Sequence, residues 1–231
     1  MRASVPDVSI VVPAHNEETN IPELVGKIYA HNPGAEIIVV NDYSTDNTAA
    51  AVAELQRKYK TLRLIRKIGP KGKATALLQG FAAAKGQVLV MIDADLQYSP
   101  SSIPEMIRQI MEDKADIVIG RRIFQEPDLL RRFLSVGYTW IFGRFLLGIK
   151  STDPQSGEKA FKKEILDKVS IKAKKWGFDI EFLFKAKKAG CRIAEIPIEF
   201  SERKRGATKI NVIYTMIDLA ATALRLFFFR A

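Results

Sequence analysis

The chain has 231 residues, 47% hydrophobic and 27% charged, with one cysteine and a net charge of +10. That composition buries a core and excludes a disordered chain; Cys191, with no Cys or His cluster around it, excludes a disulfide framework and a structural zinc site and suggests an intracellular setting. Residues 1–115 hold 13 Lys and Arg against 13 Asp and Glu, so residues 116–231 carry the whole positive excess. The second half therefore meets a different partner: nucleic acid, an anionic membrane surface or a phosphorylated substrate. Pro6 and Asp7 interrupt any apolar run near the start, so no secretory signal is expected.

Residues 8–12 form a continuous apolar run ending at Pro13, the pattern of a strand buried on both faces. Ile21, Leu24, Val25 and Ile28 follow at helical spacing. Further strands are expected over 37–40, 62–65, 88–92 and 116–119, and helices over 48–59, 74–84 and along Ile103, Met106, Ile107, Ile110 and Met111. This alternation implies an α/β fold with a mostly parallel sheet, helices on both faces and ligands beyond the strand carboxyl ends. Residues 133–149 are nearly all apolar apart from Arg144 but fall short of the ~20 needed to span a bilayer, which leaves a buried core helix or one at a membrane surface. Residues 193–200 alternate as a strand. The final segment sets Ile213, Met216, Ile217, Ala220, Leu224 and Phe227 on one helical face and Thr215, Asp218, Thr222 and Arg225 on the other, an amphipathic helix.

The loops after the first two strands, 13–18 and 41–46, present carboxylates and amides where a nucleoside would dock. Glu17 or Asp42 can accept hydrogen bonds from base or ribose, although Asn16, Ser44 and Asp46 also suit helix capping. No G-x-G-x-x-G follows the first strand, and Gly69 to Lys73 does not have P-loop spacing, so those phosphate cradles are disfavoured. The strongest signal is Asp93-Ala94-Asp95 with Gln97, directly after an apolar strand. In extended chain the three side chains share one face and can converge on a hard cation, Mg²⁺ or Mn²⁺, which would offset two adjacent carboxylates.

Five ordered motifs carry a resemblance. Val12-Pro13-Ala14-His15-Asn16-Glu17, Asn41-Asp42-Tyr43-Ser44-Thr45-Asp46 and Asp93-Ala94-Asp95 resemble the family 2 glycosyltransferases of GT-A fold. Asp153-Pro154-Gln155-Ser156-Gly157 and Arg203-Lys204-Arg205-Gly206-Ala207-Thr208-Lys209 are similar to the branch making dolichyl-phosphate or polyprenyl-phosphate sugars. Three positions depart from the family pattern: His15 and Glu158 stand where an aromatic is usual, and Asn41 where an acid is usual.

The resemblance implies one GT-A domain over 1–210, with a nucleotide-sugar half (1–120) and an acceptor half (121–210), followed by an amphipathic membrane-proximal helix (211–231). It implies a nucleotide-sugar donor, GDP-mannose ahead of UDP-glucose, contacted by Pro13, Ala14, His15, Glu17, Val40, Asp42, Asp93, Ala94 and Asp95. Asp93, Asp95 and Gln97 would hold the metal. The catalytic set would be Asp95 with Arg122, Arg132, Arg203 and Lys209, these four gripping the donor diphosphate and acceptor phosphate, with Arg121 or Arg131 able to replace its neighbour. The expected setting is peripheral, at the cytoplasmic face of an anionic membrane, with a small membrane subunit or membrane spans outside this chain as further partners. An isoprenoid phosphate is already an anion at neutral pH and needs no general base; a sugar-hydroxyl acceptor would need one, and Asp179 and Glu181 are the candidates. A nucleic-acid-binding module is the remote alternative, disfavoured by a first half of zero net charge.

Overall fold

The computed structural model describes residues 7–124, 148–149, 151–201 and 212–228. In chain order the elements are β1 (Val8–Ala14), α1 (Ile21–His31), β2 (Glu36–Asn41), α2 (Thr48–Lys58), β3 (Leu62–Arg66), α3 (Lys73–Ala83), β4 (Val88–Met91), α4 (Ile103–Met111), β5 (Ile117–Phe124), β6 (Lys159–Lys162), α5 (Ile165–Lys168), α6 (Phe178–Lys188), β7 (Ile193–Phe200) and α7 (Val212–Phe228). The seven strands make one sheet in the order β3-β2-β1-β4-β6-β5-β7. Every neighbouring pair is parallel except those involving β6, which runs antiparallel to both β4 and β5.

Alternate residues of each central strand enter opposite cores. Ile10, Val12, Ile37, Val39 and Val90 pack under α1, α2 and α4, while Val11, Ile38, Val40, Leu89 and Met91 pack under α3, α6 and α7. A strand with both faces covered has no polar positions to spare, which is why these segments read as unbroken apolar runs. The chain goes from β1 outward to β2 and β3, then returns to place β4 on the other side of β1. That reversal is a topological switch point, where a crevice opens beyond the carboxyl ends of β1 and β4.

Two strands and one short helix differ from the sequence expectation; α5 has no counterpart in it. β5 extends to Phe124, because it pairs with β7 along its whole length, from Ile117 opposite Ile193 to Phe124 opposite Phe200. β6 has no counterpart in that expectation: a four-residue strand with lysine at both ends gives neither alternation nor an apolar run. The apolar stretch 133–149 lies outside the described residues apart from Gly148 and Ile149.

Candidate active site

The loops after β1 and β2 are tied to each other. The Asn16 backbone N–H donates to Ser44 Oγ (3.0 Å) and the Thr45 N–H to Asn16 Oδ1 (2.7 Å), while the Glu17 N–H donates to Thr48 Oγ1 (2.8 Å). Asn16 and Ser44 thus join two loops instead of capping helices. Asn16, Tyr43 and Leu96, one in each loop after β1, β2 and β4, adopt left-handed backbone with φ of 55°, 56° and 62°. Such strain in non-glycine residues gathers where a fold fixes ligand-facing loops. Glu17 is buried and accepts from Asn20 Nδ2 at 2.6 Å.

Asp42 organises a third loop, 67–72, to which the sequence motifs assign no role. Its carboxylate pairs with the buried Lys67 ammonium at 3.0 Å and accepts from the Gly72 N–H at 2.9 Å. Lys67 also donates to the Pro70 carbonyl and lies over the Tyr43 ring, whose hydroxyl donates to the Gly69 carbonyl at 2.7 Å. His15 joins the same cluster: Nδ1 meets the Asp42 carbonyl at 2.8 Å and Nε2 meets Lys71 Nζ at 3.0 Å. Gly72 adopts a φ of +150°, and a side chain there would run into the Lys174 carbonyl, so only glycine lets the loop pass beneath residues 174–175.

Asp93 and Asp95 stand at the end of β4. Lys73, at the start of α3, ion-pairs with Asp93 at 2.5 Å. Burial disfavours the Lys73 ammonium, but the charges of Asp93 and Asp179 outweigh it and hold its pKa above the usual lysine value. Asp93 also lies against Gly157, where a methyl group would overlap its carboxylate. Asp95 Oδ1 accepts from the Gln97 N–H (3.2 Å), and Gln97 Nε2 donates to the Ser201 carbonyl (3.2 Å), turning β4's loop toward the end of β7. Among the described residues no three His, Cys, Asp or Glu side chains gather around one point. The segment is not extended as the alternation argument requires: it turns at Ala94–Asp95 and Leu96 takes left-handed backbone, so what suits Asp93, Asp95 and Gln97 to a hard divalent cation is the chemistry of their oxygen donors, not a shared strand face.

Across the sheet, Arg122 is half-buried and its neighbour Arg121 is exposed. Arg122 Nε and Nη2 both donate to the Asp153 carboxylate at 2.7 Å, and its guanidinium lies over the Phe200 ring. Tyr98 packs edge-on against Phe200 and its hydroxyl accepts from the Gly157 N–H at 2.7 Å. These contacts join the β4 loop, the 153–157 turn and the carboxyl ends of β5 and β7.

The two candidate bases are both engaged inside the protein. Asp179 Oδ1 holds the fully buried Lys159 ammonium at 2.5 Å. Burial pushes the Lys159 pKa down, an effect that the Asp179 charge opposes. Glu181 is fully buried, accepts from the Ala173 and Lys172 N–H groups at 2.7 and 3.1 Å, and pairs with Lys185 and Arg225 at 2.8 Å each. Burial raises its pKa, yet the hydrogen bonds from Lys185 and the Lys172 N–H, with the Arg225 charge, bring it below the ordinary glutamate value. Both carboxylates are thus committed to partners within the protein.

Arg225 belongs to α7, whose polar side is turned inward. Asp218 Oδ2 accepts from the Trp176 and Gly177 N–H groups (3.0 and 3.2 Å) at the start of α6, and Thr222 packs on Gly177. Met216, Ile217, Leu224 and Phe228 are left exposed. Of the expected site residues, Ala14, Val40 and Ala94 are buried in the cores. Pro13 is half-buried on β1 opposite Val40. Arg132, Arg203 and Lys209 lie outside the described residues. Sequence reasoning misses Lys67, Lys71 and Lys73 because their partners Asp42, His15 and Asp93 are 20 or more residues away along the chain.

A model of the Glycosyl transferase family 2 family matches residues 9–170. The dolichol-phosphate mannosyltransferase of Pyrococcus furiosus is 35% identical over 215 residues, covering 88% of this chain and 59% of that protein, so the chain spans 59% of that relative's length. The polyprenol monophosphomannose synthase of Mycolicibacterium smegmatis is 29% identical over 94% of this chain and 86% of that protein. Glucosyl-3-phosphoglycerate synthase of Mycobacterium tuberculosis, solved with phosphoglyceric acid, superposes with a TM-score of 0.78 at 21% identity, covering 95% of this chain and 79% of that one. Other structures of that synthase hold Mn²⁺ with UDP-glucose, or Mg²⁺ with UDP. They share the GT-A fold with this chain. A family match over more than half of the residues, on the sheet and strand-end loops described above, makes this chain a member of glycosyl transferase family 2.

Proposed function

We propose that this glycosyltransferase moves mannose from GDP-mannose onto the phosphate of dolichol or another polyprenol, with inversion at the anomeric carbon, while peripherally bound at the cytoplasmic face of a membrane. The observation that carries the acceptor assignment is the engagement of Asp179 and Glu181 in buried ion pairs and hydrogen bonds. A phosphomonoester, with a second pKa of about 6, arrives as its own nucleophile, so a site whose candidate bases are already engaged suits it. The names of the relatives point the same way: dolichol-phosphate mannosyltransferase and polyprenol monophosphomannose synthase.

In this reading the β1, β2 and 67–72 loops hold the nucleoside, with Glu17 and Asp42 as acceptors of its hydrogen bonds. Asp93, Asp95 and Gln97 would hold Mg²⁺ or Mn²⁺, which when bound supplies charge to stabilise the leaving diphosphate. Lys73 adds a fixed positive charge beside Asp93. Arg122, joined by Arg132, Arg203 and Lys209, orients the acceptor phosphate in line with the anomeric carbon. Among the described residues no helix is long and apolar enough to cross a membrane. The exposed apolar residues of α7 and the basic second half support attachment to an anionic surface.

A screen of nucleotide sugars by thermal shift with Mn²⁺, followed by transfer assays on a polyprenyl phosphate, tests this. A donor at a hundred times its dissociation constant stabilises by about 2.7 kcal/mol. GDP-mannose should give the largest shift and the polyprenyl phosphate the highest rate. A free sugar hydroxyl outperforming the lipid phosphate would refute the acceptor, and a larger shift with UDP-glucose would refute the donor.

A further inference from the structure

Glu195 is placed in no role by the sequence motifs, yet it is the hub of the segment that holds Arg122. It sits half-buried on β7, opposite Ile119 of β5 and three residues short of the Arg122–Ile198 pair. Its carboxylate gathers a whole turn of chain. Oε1 accepts from Ser151 Oγ (2.5 Å), the Thr152 N–H (2.7 Å) and the Asp153 N–H (3.3 Å), and Oε2 accepts from Thr152 Oγ1 (2.6 Å). Ser151 Oγ in turn accepts from the Asp153 N–H at 3.2 Å. Asp153 then passes the constraint on: besides its two bonds to the Arg122 guanidinium, its Oδ2 accepts from the Arg122 backbone N–H at 3.1 Å. Arg122 is fixed from its main chain to its fork, and Phe200 backs its face.

We propose that Glu195 is a positioning residue for transfer: through residues 151–153 and the Asp153 carboxylate it sets the direction in which Arg122 meets a phosphate. A guanidinium on a flexible stem loses entropy whenever it is ordered by its ligand; one held in advance does not. With Nε and Nη2 both bonded to Asp153, the plane and direction of the guanidinium follow the Asp153 carboxylate. The link rests on the reading of Arg122 as a phosphate ligand.

The acceptor pattern makes a sharp prediction about chemistry as well as place. Three of the four contacts fall on Oε1, and the fourth is to a hydroxyl that can equally accept. Glu195→Gln can therefore keep every contact, with its amide N–H₂ donating to Thr152 Oγ1, whereas Glu195→Ala loses them all. Misplacing a positioned group by about 1 Å costs up to a hundredfold in rate. Glu195→Ala should lower kcat/KM for a polyprenyl phosphate about tenfold to a hundredfold and leave nucleotide-sugar affinity, measured calorimetrically, within about twofold. Glu195→Gln should stay within about threefold of the wild type.

The decisive measurement is a double-mutant cycle. In an Arg122→Ala background, Glu195→Ala should cost nothing further, because the only route by which it acts is already gone. If Glu195→Ala does not fold, Glu195→Asp, one methylene too short to span the turn, takes its place in the cycle. Wild-type kinetics in either variant, or a loss that multiplies undiminished with that of Arg122→Ala, would overturn the inference while leaving the acceptor assignment standing. Full activity of Arg122→Ala alone would instead overturn the reading of Arg122 and the link with it.

Discussion

Replacing Asp179 by Asn separates two kinds of contribution that a mutant assay usually mixes. Asp179 is 5% exposed, and its partner Lys159, 2.5 Å away, is fully buried and otherwise donates to the Ser156 carbonyl. Removing one partner of a buried ion pair costs about 3–5 kcal/mol, because the other charge is stranded. Asn keeps a carbonyl oxygen for the ammonium, which places the expected loss near the lower end, about 3 kcal/mol. In a domain of this size each kcal/mol moves the melting temperature roughly 2–4 °C, so calorimetry should show a fall of about 6–12 °C. Transfer to a polyprenyl phosphate, measured well below the variant's melting point, should stay within about threefold of the wild type with an unchanged pH profile. Replacing both partners at once, Lys159→Met with Asp179→Leu, should restore much of the stability, since apolar replacement of a buried pair is often neutral or better. The reasoning fails if Asp179→Asn melts like the wild type but loses a hundredfold or more in rate, the signature of a missing general base.

Asp95→Ala should abolish transfer and Mn²⁺-dependent donor binding without lowering the melting temperature of the protein alone, because it removes one of two neighbouring carboxylates; full activity in excess EDTA would contradict it. Burial pushes the Glu158 carboxyl up to about 8, with a hydrogen bond from Ser102 opposing the shift. Its folded value lies above its unfolded one, so its contribution to stability is complete below about pH 4.5 and is lost as pH rises through 8. Glu158→Gln should accordingly flatten the fall in melting temperature between pH 5 and 9, and an unaltered slope in titrated scans would refute the assignment. Ile217→Glu with Leu224→Glu, both at exposed positions on α7, should weaken flotation with anionic vesicles and spare donor affinity. Deleting the helix is a poorer test, since Leu219, Ala223 and Leu226 are buried and Asp218 and Arg225 hold α6 and the turn before it.

What can be read from the sequence follows from the range of the interactions involved. β1, β2 and β4 are buried on both faces, so local apolarity alone reveals them, and strand-helix alternation then places the ligand loops. The paired acids at 93 and 95 stand out because nothing local would neutralise them. Lys73, which pairs with Asp93, lies 20 residues earlier and on a helix, and no spacing rule connects the two. β6 is hidden because Lys159, fully buried through Asp179 on a later helix, breaks the apolar pattern that would mark a strand. In α7 the periodicity separates Met216, Ile217 and Leu224 from Asp218, Thr222 and Arg225, but it does not say which group faces the protein. Asp218, Thr222 and Arg225 turn inward because Glu181 and the N–H groups of Trp176 and Gly177 await them there, and Met216, Ile217 and Leu224 are left outside.

The position of β6 has a consequence for synthesis on the ribosome. β4 and β6 are neighbours in the sheet, but the first ends at Met91 and the second begins at Lys159. Translation at roughly 5–20 residues per second leaves the free edge of β4 without its partner for several seconds. During that interval β3, β2, β1 and β4 can assemble into a parallel sheet whose last strand offers open hydrogen-bonding groups and a wholly apolar sequence, Val88–Met91. Such an edge recruits other chains readily. The nascent protein is thus most vulnerable to aggregation after β1–β4 have been made and before β6 exists, and a chaperone that covers β4 in that window would raise the yield of folded protein more than one acting on the completed chain.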